Sequence, residues 1–246
     1  MSKLPHITLA FWVMKICATT LGETAGDLLS MTVDLGYAVS SIIYLTLFAV
    51  ALFFQLRAKS FKPWLYWTVI MATSLAGTTM SDFMDRTLGL GYAKGSLLLV
   101  SLLVGILSYW KWSEKSISVD TVRSRKAEVL YWMTILISNT LGTALGDYLA
   151  DDSGLGFMGG ALLIASTIAL IAVLGRFTTL SKVALFWAAF VLTRPFGATM
   201  GDVLTKAPAK GGLGLGTVGS SLVLLGILVA VIYVTSRPKP PETASQ

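Results

Sequence analysis

Apolar residues gather along this chain into eight long blocks, roughly 6–31, 36–56, 64–87, 91–111, 128–151, 156–176, 181–205 and 212–235. Each is near the ~20 residues that a helix needs to cross ~30 Å of hydrocarbon. The blocks lack the two-residue alternation of a membrane barrel, and lipid offers no partner to unpaired backbone groups, so the pattern predicts helices. Polar positions interrupt the odd blocks in a fixed way. A Trp is followed ten residues later by Gly, with a small residue and an Asp four and five places beyond that: Trp12/Gly22/Gly26/Asp27, Trp67/Gly77/Ser81/Asp82, Trp132/Gly142/Gly146/Asp147 and Trp187/Gly197/Gly201/Asp202.

Trp12 to Trp67 is 55 residues, Trp67 to Trp132 is 65 and Trp132 to Trp187 is 55, so copies one and three, and two and four, both lie 120 apart. The expected architecture is an all-α transmembrane bundle of eight helices, made of four two-helix repeats in two pseudo-symmetric halves. Residues 1–112 form the first half, 113–127 a cytoplasmic linker, 128–237 the second half and 238–246 a cytoplasmic tail. Each repeat contains an even number of spans, so all copies run in parallel and their Asp residues share one depth, around an axis along the membrane normal.

Residues four apart share a helix face. Stepping back from each Asp in fours gives Lys15, Thr19, Glu23, Asp27; then Ser74, Thr78, Asp82; Asn139, Thr143, Asp147; and Arg194, Ala198, Asp202. Such stripes in apolar surroundings should turn inward, toward one another or a water-filled cavity. At ~1.5 Å per residue each Asp lies about 22 Å from its Trp, in the outer half of the membrane. The pairs Gly22/Gly26, Gly77/Ser81, Gly142/Gly146 and Gly197/Gly201 can bring helix backbones close. The even spans carry Gly36, Gly91, Gly156 and Gly216 near their starts, followed by Ser40/Ser41, Gly95/Ser96, Gly160/Ala161 and Ser220/Ser221. Gly214, Gly216 and Gly219 satisfy G-x-G-x-x-G, but without a preceding strand they read as the start of a helix rather than a nucleotide fingerprint. The four Trp residues read as interfacial anchors.

Composition agrees with the pattern: 54% hydrophobic, 13% charged, mean hydropathy +0.74 over 246 residues. The odd-to-even loops hold Arg86, Lys94, Lys206 and Lys210. The remaining loops and the termini hold Lys3, Arg57, Lys59, Lys62, Lys111, Lys115, Arg123, Arg125, Lys126, Arg176, Lys182, Arg237 and Lys239. This bias places both termini in the cytoplasm. The net charge of +6 is therefore a topology signal and not a nucleic-acid footprint. Lone Cys17 and His6 exclude an internal disulfide and a Cys/His zinc site. No activated nucleophile or cofactor motif accompanies the carboxylates, so an enzyme is not expected. Lys15 inside the first apolar run argues against a cleaved signal peptide.

The candidate chemistry is the set Glu23, Asp27, Asp82, Asp147 and Asp202, joined by Thr78, Thr143 and Asn139, with Lys15 and Arg194 as counter-ion or gating residues. Glu23 and the four Asp carry three more charges than Lys15 and Arg194 offset. A buried carboxylate without compensation takes up a proton or a cation. Oxygen-rich ligation suits Mg²⁺, Ca²⁺ or Mn²⁺, and a bound divalent cation is the one non-protein component expected, with no covalent cofactor. Asp82 with Arg86 and Asp202 with Lys206 are i,i+4 pairs, whereas Asp27 and Asp147 face Met31 and Asp151 at that position. Asp34, Asp85 and Asp152 read as solvated loop charges. Arg194 adjoins Pro195, which can break the seventh helix open or simply tie it.

The repeated G-x-x-x-[GS]-D pattern, followed by a Gly-started second helix, resembles a bacterial membrane-protein family built from four copies of a repeat of unknown function. The resemblance spans nearly the whole chain and implies the bacterial cytoplasmic membrane. Glu23-Thr24-Ala25-Gly26-Asp27 also resembles the Glu-x-Gly-Asp signature of a calcium/manganese transporter family, with one extra residue between Glu and Gly, a single Glu-bearing repeat and no Lys after the Asp. The expected function is a secondary transporter or exporter of cations, divalent above all and coupled to protons. Alternatives are a proton-coupled transporter of a small organic or weak-acid solute, and a non-transporting structural or sensor subunit. Expected partners are the lipid bilayer, an inorganic cation or small solute and further copies of the chain.

Overall fold

The computed structural model describes residues 3–237, so the expected tail at 238–246, Lys239 included, lies outside the described residues. Eight long helices account for nearly all of it: α1 Leu9–Asp27, α2 Gly36–Arg57, α3 Pro63–Asp82, α4 Tyr92–Glu114, α5 Arg125–Asp147, α6 Gly156–Phe177, α7 Lys182–Thr205 and α8 Thr217–Ser236. Six stretches, those of α2, α4, α5, α6, α7 and α8, are long and apolar enough to cross a membrane. α1 and α3 fall outside that group and bury polar side chains along much of their length.

Local chemistry sets the helix starts. Thr8, Ser124 and Ser181 cap α1, α5 and α7 by accepting from the amides of Phe11, Ala127 and Ala184 at 3.3, 2.9 and 3.3 Å. Pro63 opens α3 at the first position, where a missing N–H costs nothing. After the Asp, α1, α3 and α5 each widen into a π-helical turn, Leu28–Thr32, Phe83–Thr87 and Tyr148–Asp152. Gly36, Gly91, Gly156 and Gly216 then start the even helices at φ between +67° and +75°, a conformation that glycine adopts without strain. A Cβ there would meet nothing within 4 Å, so their role is backbone conformation and not close packing.

α1, α3, α5 and α7 form a closed inner ring in which each packs on the next and α7 returns to α1. A Cβ on Gly26 would meet the Thr78 side chain at 2.9 Å. One on Gly77 would meet the backbone of Asn139 at 2.8 Å, one on Gly146 the Ala198 side chain at 2.9 Å, and one on Gly201 the Glu23 side chain at 2.7 Å. The small-residue stripe of each helix is thus seated against the polar ladder of its neighbour, in the same order along both, which makes the four helices parallel. Outside the ring, α2 lies on α3, α4 on α5, α6 on α7 and α8 on α1. Each repeat therefore donates its second helix to the repeat that follows, and the last donates to the first. Ser221 of α8 bonds Thr24 of α1 at 2.8 Å, and Gly160 of α6 meets Thr199 of α7, so the small residues of the even helices also serve these contacts.

Two expectations change here. The Trp residues are not interfacial anchors: Trp67, Trp132 and Trp187 are buried and Trp12 is partly so, in a cluster with Phe11, Tyr66, Tyr131 and Trp110 that plugs one end of the ring. Four helices converging at one level bring large aromatic faces together, and burying them outweighs placing them at the interface. The stretch between the halves, hydrophilic as a whole, sends Val119 and Val122 into the same cluster, and its Ile117 carbonyl accepts from Trp187 Nε1 at 2.9 Å.

Candidate functional site

The inner ring encloses a column of side chains built in layers from the Trp end to the Asp end. At the bottom Tyr66 and Tyr131, both fully buried, join their hydroxyls at 2.6 Å amid the aromatic cluster. One level up, Lys15 lies 4.2 Å over the Phe190 ring and donates to Asn139 Oδ1 at 3.3 Å. Asn139 in turn donates to Thr73 and Ser74 at 2.9 and 3.4 Å. Lys15 and Asn139 thus form a layer of their own, held away from the carboxylates with which the ladder grouped them.

Above that layer the guanidinium of Arg194, fully buried, reaches all four inner helices. It donates to Glu23 Oε2 at 3.0 Å and the Thr19 carbonyl at 3.5 Å on α1, to the Thr78 hydroxyl on α3 and to the Thr143 hydroxyl at 2.6 Å on α5. The planar fork of Arg suits this multiple role. Thr78 also donates to the Gly22 carbonyl at 3.0 Å and Thr19 to the Thr193 carbonyl at 3.1 Å, contacts that only the close approach at the small residues permits. α7 stays helical through Pro195, so Arg194 is a tie across the ring rather than a break in it.

The four Asp residues form the top layer. Arg86 Nε lies 2.9 Å from Asp82 on its own helix, and its terminal nitrogen 3.1 Å from Asp147 on α5. Lys206 Nζ lies 3.1 Å from Asp202 and 2.8 Å from Asp27 on α1. The i,i+4 partners are as the spacing predicted, but each cation also serves the Asp that has none in its own helix. The two bridges are related by the 120-residue offset of the halves. Burial opposes the charge on Lys206, yet Asp202 and Asp27 outweigh it and raise its pKa above the ordinary lysine value. Between the bridges, carboxylate oxygens of Glu23, Asp147 and Asp202 come within 4.8 Å of one another.

Burial of Glu23, Asp27, Asp82, Asp147 and Asp202 at 2–4% exposure contrasts with side-chain exposures of 32% for Arg86 and 22% for Lys206. The column is closed by aromatics at one end and topped by two cations at the other. Arg86 and Lys206 were read from the sequence only as local ion pairs; their shared role needed the order of helices around the ring. Asp34 and Asp152 are exposed as expected, but Asp85 is buried, with Ser81 donating to it at 3.3 Å and Gly95 of α4 directly against it, where any larger residue would block the contact. Counting Lys15, five formal negative charges face four positive ones, so the column lies nearer to neutrality than the ladder alone indicated.

These features define a class: a helical membrane protein of four internal repeats whose inner helices enclose a charged, largely buried column. Four stretches, residues 10–61, 65–116, 130–180 and 185–240, match the Repeat of Unknown Function (DUF347), and the chain belongs to that family. No curated protein and no solved structure matches the chain.

Proposed function

We propose that this protein is a secondary transporter of inorganic cations in the bacterial cytoplasmic membrane, with both termini cytoplasmic, and that Glu23, Asp147 and Asp202 are the centre of its binding site. The observation that carries the reading is the meeting of three buried carboxylates from three helices within 4.8 Å, at the level where Arg86 pairs with Asp82 and Asp147 and Lys206 with Asp27 and Asp202. Carboxylate oxygens without His or Cys favour hard divalent cations. A site reached from one end and plugged at the other is one half of an alternating-access cycle, and protons can occupy the same oxygens when the cation leaves. Thr78 and Thr143 hold the floor of the site through Arg194.

The test is thermal unfolding of the detergent-purified protein in Mg²⁺, Ca²⁺ and Mn²⁺, repeated on Asp202→Asn, followed by flux in liposomes under a pH gradient. Native-state binding at 100 Kd stabilises by about 2.7 kcal/mol, a readily measured shift in melting temperature. Stabilisation by one of these ions that is lost in Asp202→Asn is the expected result. A melting temperature blind to all three ions, in wild type and variant alike, refutes the reading.

A further inference from the structure

Two cations top the site, and they are built differently. Arg86 lies within a π-helical turn, donates to the Tyr37 hydroxyl at 3.2 Å and has the Tyr37 and Tyr92 rings 5.9 and 5.7 Å away. It is fixed by groups other than the carboxylates. Lys206 follows the last residue of α7, in the one repeat whose odd helix ends without a π-helical turn. Asp202 is followed by its helix-starting Gly fourteen residues later, against nine in the other three repeats, so the loop from 206 to 216 is five residues longer. That loop is secured through its backbone: Leu213, Gly214 and Leu215 donate to the carbonyls of Val203, Lys206 and Leu204 at 2.6, 2.9 and 2.9 Å. Among the described residues, the Lys206 side chain pairs with Asp27 and Asp202. Asp202 Oδ1, although 3.1 Å from the ammonium, receives no hydrogen bond of good geometry, a feature that Asp82 Oδ1 beside Arg86 shares.

We infer that Lys206 is a tethered substitute for the transported cation: its ammonium fills the space between Asp27 and Asp202, and a divalent cation displaces it on binding. The inference rests on the cation-transport reading and adds to it which residue competes with the cargo and from which side the cargo comes, between α1 and α7. Charge supports the exchange. With Lys206 in place the column is formally one negative charge in excess; with Lys206 withdrawn it is two in excess, which one divalent cation neutralises. Arg86 stays as the permanent partner of Asp82 and Asp147. Because a docked Lys206 holds the site in a form that cannot accept cargo, apparent affinity is reduced by the fraction of molecules in the open form.

The experiment measures divalent binding by calorimetry on the full-length purified protein, titrating Mn²⁺ and Ca²⁺ into wild type, Lys206→Gln and Arg86→Gln. Lys206→Gln is expected to bind at least about tenfold more tightly than wild type, and Arg86→Gln no more tightly. A second measurement needs no variant. Acylation of amines in the wild-type protein is read residue by residue by mass spectrometry; Lys206 modification is expected to rise severalfold with the divalent ion while that of Lys94 stays constant. Equal affinity in wild type and Lys206→Gln, or Lys206 modification that does not change or falls while the ion binds, overturns the inference and leaves the transport reading in place. Absence of binding in every protein overturns the transport reading itself.

Discussion

At the residue scale the two fully buried cations among the described residues, Lys15 and Arg194, play opposite parts although they lie only about one helical turn apart in the repeat. Arg194 compensates Glu23 and donates hydrogen bonds to the Thr78 and Thr143 hydroxyls, so removing it strands a carboxylate in the interior. Arg194→Met is expected to cost about 3–5 kcal/mol, the usual penalty for breaking a buried pair from one side. The double variant Glu23→Gln/Arg194→Met should recover part of that loss, and a double-mutant cycle in chemical unfolding reads the coupling. Additive losses would show that the pair is not an energetic unit. Among the described residues Lys15 has no carboxylate partner and meets Asn139 and the Phe190 ring. Lys15→Met keeps the volume and removes a desolvated charge, so its unfolding free energy should stay within about 1 kcal/mol of wild type or exceed it. A loss as large as that of Arg194→Met would contradict this assignment. The sequence placed both residues on inward faces but assigned them one shared role. Which neighbour each meets is set by helix order and register, and a periodic ladder on one helix contains neither.

At the element scale the stripe of small residues is the device that lets charged ladders be buried at all. Gly77 has the Asn139 backbone where a Cβ would go, at 2.8 Å, and backbone in a closed ring has little freedom to retreat. Gly77→Ala is expected to destabilise by about 1–3 kcal/mol through overpacking. Gly105→Ala on α4, where a Cβ meets nothing within 4 Å, should be neutral or slightly stabilising, since Ala is favoured in a helix interior by up to about 1 kcal/mol. Melting temperatures of the two proteins in one detergent provide the comparison, and equal shifts would contradict the ring geometry. The G-x-x-x-small pattern was legible as a packing face because its spacing is that of one helix face. The Trp cluster was not, because Trp at the end of a span is equally consistent with an interface anchor, and only the convergence of four helix ends makes a buried plug. The buried Asp85 escaped for a related reason: it lies past the Asp of its motif, where a loop was expected, yet the π-helical turn carries it back against Gly95.

At the scale of the whole molecule, handing each second helix to the next repeat closes the structure on itself. A linear array of repeats has two ends, and its terminal units require caps. Here α8 lies on α1 as α2 lies on α3, so the first repeat gets from the last what every other repeat gets from its predecessor. The sequence showed four parallel repeats in two halves, but spacing along a chain cannot say whether the fourth copy meets the first. The two ends of the described residues are close enough to test it: Thr235 lines one small cavity together with Pro5, His6 and Thr8. Joining residue 237 to residue 3 through a short Gly/Ser linker, and opening the chain at the exposed Lys59–Ser60 link, reorders the helices to α3 through α8, then α1 and α2. In a closed ring this permutant keeps every helix–helix interface and exchanges only one covalent loop for another, a change whose entropy depends weakly on loop length. It should purify as a species of wild-type helical content and size, with cooperative unfolding. Opening the chain within α5 between Ser138 and Asn139 cuts an inner helix beside the polar layer and should abolish folding. If both permutants failed alike, the α8–α1 contact would be an incidental closure rather than one of four equivalent joints, and the column would owe its geometry to chain order instead of to the ring.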